Sequence, residues 1–235
     1  MTDMTFPQTT APIDRPGWPE IAVGLLVFAV VGFGGGSLIA RMDFPPLVIG
    51  LIFTGLSGLA GLAGFAAAVR LRIRALAPFG FGPVSRRWLW IGLAAGVFAF
   101  FVKGLAVLGY LSLVGSTENP QDIYAMGATG GVGSIILATI LLGILTPIGE
   151  EFLFRGVLAN ALLRYGALVG VVGSALIFAV MHGINMVFPA ALVAGLVAGE
   201  VFRRSGSIWP AVIVHIVFNL PTIPVMVWIT VSGSG

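Results

Sequence analysis

The chain has 235 residues, of which 58% are hydrophobic and only 9% charged, with a formal net charge of +3. Soluble domains carry about 25% charged residues, so this composition cannot cover a water-facing surface, and so small a positive excess gives no basis for nucleic-acid binding. Cysteine is absent, which removes disulfide and thiol chemistry.

Residues 1–20 are polar and hold several prolines. They lack a basic segment followed by an apolar core, so they are expected to form a flexible arm rather than a cleaved signal peptide. Residues 21–235 are expected to form a single transmembrane helical domain. Long charge-free stretches follow one another, at 21–40, 44–69, 123–149, 165–199 and 205–235. About 20 apolar residues cross a bilayer as a helix. In hydrocarbon the backbone must satisfy itself, and the strict alternation of a membrane β-barrel is missing. The expected fold is therefore an all-α polytopic bundle of about seven spans, with six to eight as the range. They fall near 21–40, 44–69, 88–115, 132–164, 166–183, 186–202 and 207–231. The fourth is too long for a simple crossing, and Thr146-Pro147 predicts a kink or restart within it. His182-Gly183-Ile184-Asn185 predicts the turn between the fifth and sixth. Glycines at 58, 61 and 64, and at 195 and 199, predict close helix packing.

Arginine placement sets the orientation. Loop 70–87 holds Arg70, Arg72, Arg74, Arg86 and Arg87, loop 116–131 holds no basic residue, and Arg203 and Arg204 precede the last span. Basic loops stay on the cytoplasmic side. Loops 70–87, 164–166 and 203–206 are therefore expected to share that side, with the N-terminus inside and the C-terminus outside. A multi-pass protein of a prokaryotic cell membrane is the expected setting.

Ionisable groups in hydrocarbon are costly and each needs a reason. Glu151 and Arg155 are four apart and can pair on one helix face. Glu150 is rotated by about 100° from Glu151, so it has no partner within its own motif. It is expected to be neutral or to answer to another helix. Phe178 and His182 form a second i, i+4 pair, in which the ring can restrict the imidazole. His215 and Asn219 form a third, presenting an imidazole and a carboxamide on one face. Counting from the turn near Tyr165, Glu150 and His182 lie at similar heights, about 22 and 26 Å. His215 comes out shallower, at roughly 15 Å above loop 203–206, so tilt or the Pro147 kink must absorb the difference. Glu200 is expected to pair with Arg204 at a helix end. Lys103 is expected to snorkel, to pair with a carboxylate of the chain, or to meet a carboxylate of a substrate.

Glu-Glu-x-x-x-Arg at 150–155, Phe-x-x-x-His at 178–182 and His-x-x-x-Asn at 215–219, in that order, resemble the CPBP family. That family holds the type II CAAX prenyl endopeptidases and bacteriocin-processing or self-immunity proteins. The resemblance spans about 132–225, the expected catalytic core. It implies an intramembrane endopeptidase acting on a membrane-associated peptide or protein. Glu150 and His182 would activate water, and His215 and Asn219 would stabilise the oxyanion. Glu151, Arg155 and Phe178 would support them. Two histidines and a glutamate also form a catalytic zinc set. His182, His215 and Glu150 are thus candidate ligands for a divalent metal, zinc first, although no His-Glu-x-x-His is present. Two other classes stay open: a non-catalytic binder of membrane peptides, as in immunity or assembly, and a transporter relaying protons through buried Glu and His.

Overall fold

The computed structural model describes residues 15–115 and 119–233. Most of the expected N-terminal arm, residues 1–14, lies outside them. The described residues are helical, joined by turns, and contain no strand. In chain order they form α1 (Trp18–Ile39), α2 (Pro46–Leu71) and α3 (Arg86–Val114). A short α4 (Asp122–Met126) then lies within the loop 116–131. After it come α5 (Val132–Tyr165), α6 (Val169–Met181), α7 (Val187–Ser205), α8 (Ile208–Asn219) and α9 (Thr222–Gly233).

Seven helical rods thus stand where seven spans are expected, if α8 and α9 are taken together. Five are long and apolar enough to cross a bilayer: α1, α2, α3, α5 and Ile208–Trp228. Helix α6 is short, and α7 carries Glu200, Arg203 and Arg204. The surface confirms a membrane solvent. Helix α3 turns Trp90, Phe98, Phe101, Leu105, Leu108 and Leu113 outward, a face too large and apolar to meet water. The chain is an integral membrane protein.

Some boundaries differ from those expected. Helix α1 begins at Trp18 because Gly17 caps it and Glu20 folds back to accept the Gly17 amide at 2.8 Å. Glu20 is fully buried and pairs with Arg72 at 2.7 Å, so the last residues of the presumed arm are part of the bundle. The last span is broken between Asn219 and Thr222, just ahead of Pro224.

The segments expected to share one side do meet at one end of the bundle. Trp18 donates to Tyr165 at 2.9 Å, and Arg164 donates to the Pro16 carbonyl. Asn160 donates to Pro78 at 2.8 Å, and the Ile208 amide to Gly80 at 3.0 Å. The start of α1 at Pro16–Trp18, the α2–α3 loop, the α5–α6 turn and the α7–α8 turn therefore form one end.

Glycines decide how closely the central helices approach. A Cβ on Gly149 would lie 1.9 Å from the Gly58 carbonyl oxygen, and one on Gly61 would lie 2.3 Å from the Gly149 oxygen. Helices α2 and α5 thus touch backbone to backbone, the small-residue packing that membrane helices use. This contact sits immediately beside Glu150. Gly109 in α3 is the contrast, since its Cβ would meet nothing within 4 Å. We expect Gly149→Ala to lower thermal stability by about 1–3 kcal/mol, the cost of overpacking, and Gly109→Ala to be neutral or slightly stabilising. Equal melting temperatures in detergent for the two variants would contradict the backbone contact.

Candidate active site

Glu150 and Glu151 lie inside α5, 1% and 0% exposed. The rod that carries them is not a uniform helix. Wide π turns at Leu141–Leu145 and Phe152–Ala159 flank the α-helical turn Thr146–Glu151, where Pro147 occupies the first turn. Such widened turns re-aim side chains and are frequent at functional sites.

Glu151 is held twice. Its Oε2 lies 3.2 Å from Arg155 Nε, as the four-residue spacing predicts. The contact is a close charge pair without hydrogen-bond alignment. Arg155 is itself buried, with its guanidinium over the Phe178 ring at 4.8 Å. The second hold comes from another helix: His215 Nδ1 sits 2.8 Å from Glu151 Oε1. An ionised carboxylate only accepts hydrogen bonds, so His215 carries a proton on Nδ1.

Glu150 has no partner on its own helix, as expected. It is met by α2, where the Ser57 hydroxyl donates to Oε1. The imidazoles of His182 and His215 approach the same carboxylate, with Nε2 atoms 3.9 Å from Oε1 and 3.8 Å from Oε2. His182 caps α6, and Gly183 beside it has φ +84, so the chain turns sharply there. Its Nδ1 lies 2.9 Å from the Phe178 carbonyl and its ring packs edge-on against Phe178 at 4.6 Å. A carbonyl is also only an acceptor, so His182 too is protonated on Nδ1. Each imidazole therefore uses Nδ1 for orientation and turns Nε2 toward Glu150.

The two separations of 3.8 and 3.9 Å are too long for direct hydrogen bonds, so Glu150 and both Nε2 atoms face one space without bonding to one another. Asn219 lies one turn beyond His215 on α8 and donates to the Leu142 carbonyl at 3.4 Å. Glu150, His182, His215, Asn219 and Ser57 all line one cavity of about 300 Å³. Tyr124 of α4 lines it as well; burial, then the Glu150 charge, push its phenol up to about 12. That phenol stays protonated and available as a donor.

The structure thus gathers all seven expected residues, Glu150, Glu151, Arg155, Phe178, His182, His215 and Asn219, into one cluster. Sequence reasoning missed Ser57, Tyr124 and the Glu151–His215 contact. Ser57 is a small polar residue in a glycine-rich span, and nothing local marks it. Glu200 stands apart at the basic end, paired with both Arg203 at 2.8 Å and Arg204 at 2.5 Å. Lys103 is not paired with a carboxylate of the described residues. It donates to the Phe218 carbonyl at 3.1 Å and lies between the Phe100 and Phe218 rings.

The donor chemistry of Glu150, His182 and His215 suits a divalent cation, because orienting bonds on Nδ1 are what metal-ligating histidines show. Their spacing is looser than a coordination shell: among the described residues no group of three or more His, Asp or Glu side chains stands close enough to hold a metal ion.

Residues 132–221 match the family described as type II CAAX prenyl endopeptidase Rce1-like. The match covers every motif of the cluster and supports a membrane protease in general terms. No curated protein and no solved structure matches the chain.

The two-sided hold on Glu151 generates a stability prediction. Glu151→Gln leaves Arg155 as an uncompensated buried charge, a change that costs about 3–5 kcal/mol. Glu200→Gln removes an exposed pair worth about 0–1 kcal/mol. Thermal unfolding of both variants in one detergent should show a large loss for the first and little for the second. Comparable losses would mean that Glu151 is not the anchor of the cluster.

Proposed function

We propose that this protein is an intramembrane endopeptidase in which Glu150 activates a water for attack on a peptide carbonyl. The observation that carries this reading is the convergence of two Nδ1-anchored imidazoles on a buried carboxylate that has no partner on its own helix. A structural glutamate would be neutralised by its surroundings, as Glu151 is. Glu150 instead receives a serine hydroxyl on one oxygen and faces two Nε2 atoms just beyond hydrogen-bond distance.

Each group has a task. A water held in the cavity beside Glu150 and His182 loses a proton to the Glu150 carboxylate as its oxygen bonds to the scissile carbon. The carbonyl oxygen becomes an oxyanion. The Asn219 carboxamide donates to it, and so does His215 when Nε2 carries a proton, with Glu151 supporting the positive ring as the triad aspartate supports its histidine. The carbon–nitrogen bond then breaks, and the proton held by Glu150 passes to the leaving amine. Glu150 and His215 are buried, so the groups around them act at reduced dielectric, where a donor is worth more than in water. The substrate is a membrane-associated peptide or protein; a prenylated chain is one case within that class.

A second reading uses the same residues. Nε2 of His182, Nε2 of His215 and the Glu150 carboxylate would hold a divalent cation, zinc first. It would supply Lewis-acid polarisation of water or carbonyl. The Nδ1 bonds favour it, because they leave both Nε2 atoms free.

The test is cleavage of a peptide library by purified protein, with Glu150→Gln beside it. The variant keeps shape and hydrogen bonding but removes the proton-accepting carboxylate. It should melt like wild type and lose about 10²–10⁴ in rate, the worth of general acid–base catalysis. Near-normal cleavage by Glu150→Gln would overturn the assignment. Elemental analysis of the same preparation separates the two readings. Stoichiometric metal that disappears in His182→Ala supports the cation; full cleavage after exhaustive chelation removes it.

A further inference from the structure

The two imidazoles of the site are not held equally. The side chain of His215 is 3% exposed and that of His182 is 23% exposed. His215 is steadied by a carboxylate, Glu151, at 2.8 Å. His182 has a neutral carbonyl and one aromatic ring, both from Phe178 four residues back on its own helix. Its ring therefore points where the end of α6 directs it. His182 caps that end with φ −88 and ψ −1. Its carbonyl lies past the last helical turn, where carbonyls have no partner within the helix.

Asn185 supplies that partner. Its Nδ2 donates to the His182 carbonyl at 2.9 Å. On the other side, its Oδ1 accepts the Val187 amide at 2.8 Å and its main-chain carbonyl accepts the Phe188 amide at 3.0 Å. Two bonds thus tie Asn185 to the first turn of α7, and one reaches back to His182. The carboxamide can sit only one way round, because an amide needs its oxygen and a carbonyl needs its NH₂. Gly183 makes room for it: a Cβ there would lie 2.7 Å from Asn185 Nδ2, and the φ of +84 suits glycine. Helix α7 is itself fixed against α6, since a Cβ on Gly195 would lie 2.8 Å from the Ala175 Cβ. The bond to His182 therefore comes from a firm base.

We propose that Asn185 is a positioning residue for His182: it fixes the His182 carbonyl to α7 and so holds the imidazole with Nδ1 on the Phe178 carbonyl and Nε2 toward Glu150. Asn185 is not part of the cavity lining, so it acts through His182 and takes no part in proton transfer. The use of this orientation in peptide hydrolysis rests on the protease reading, while the orientation itself can be measured without turnover.

Asn185→Asp separates positioning from helix capping. An ionised carboxylate accepts and cannot donate, so this variant keeps the bond from Val187 and loses the bond to His182. Asn185→Ala loses both, and Asn185→Ser repeats the first test without added charge, its hydroxyl being a weaker acceptor for the same amide. The ring nitrogens of the two histidines are read by ¹⁵N nuclear magnetic resonance at one neutral pH. In all three variants the His182 ring should lose its single state and show both neutral tautomers, because the tautomer is set by a fixed hydrogen bond. His215 should keep its proton on Nδ1. The melting temperature should fall for Asn185→Ala and stay near wild type for Asn185→Asp. With a cleaved peptide in hand, kcat should fall by about tenfold or more in each variant and KM should change little, the mark of a misplaced catalytic group. A His182 ring in Asn185→Asp and Asn185→Ser that matches wild type would leave Asn185 a helix cap only and overturn the proposal. So would loss of the His215 Nδ1 proton alongside that of His182, which would mark general loosening of the bundle. Failure of wild-type protein to cut any peptide would instead strike the protease reading alone, since the ring states are read without turnover.

Discussion

Two adjacent glutamates are taken out of water on one helix that sets a single arginine, Arg155, beside them. Removing a carboxylate from water costs several kcal/mol even after relaxation, so the second acid needs a reason that the first does not. Glu151 takes Arg155 and the Nδ1 proton of His215 and is thereby satisfied. Glu150 takes a serine hydroxyl and faces two imidazoles it does not quite touch. One residue of helical rotation separates a settled charge from a poised one, and the rest of the site is arranged around that difference.

The glycine contact between α2 and α5 makes the arrangement possible. Ser57 can reach Glu150 only because Gly58 and Gly61 let the two backbones touch at Gly149. The same close approach recurs at the outer helices. A Cβ on Gly64 would lie 2.5 Å from the Gly24 oxygen, and one on Gly195 would lie 2.8 Å from the Ala175 Cβ. Apolar side chains face lipid, so close packing, not burial from water, fixes the helix positions. Backbone proximity thus sets the chemistry: the helices come near enough for short side chains to bridge them.

The parts of this protein that depend on local spacing were legible in its sequence. Charge-free runs gave the rods, arginine placement gave the four segments that gather at one end, and the three i, i+4 pairs gave Glu151–Arg155, Phe178–His182 and His215–Asn219. What was not legible depends on the register between helices. Nothing in the sequence places Ser57 opposite Glu150 or His215 against Glu151, because both contacts follow from how far α5 is wound. The π turns at 141–145 and 152–159 flank the glutamates and alter that winding, and no local pattern in the sequence marks them. Of the alternatives for Lys103, a carboxylate partner within the described residues is not what it meets, for a related reason: the group opposite it is a carbonyl on α8, in the last turn of a helix that stops at Asn219.

The central claim is that both imidazoles are anchored through Nδ1 and present Nε2 to Glu150. The chain has only two histidines, so ¹⁵N labelling of histidine in detergent-solubilised protein gives two resolvable ring systems. Nuclear magnetic resonance reports directly which ring nitrogens carry protons. The account predicts a proton on Nδ1 of both His182 and His215 at neutral pH. A bare Nδ1 on either ring, with its proton on Nε2, would mean that the ring does not present a free Nε2 to Glu150, and the proposed site would be wrong.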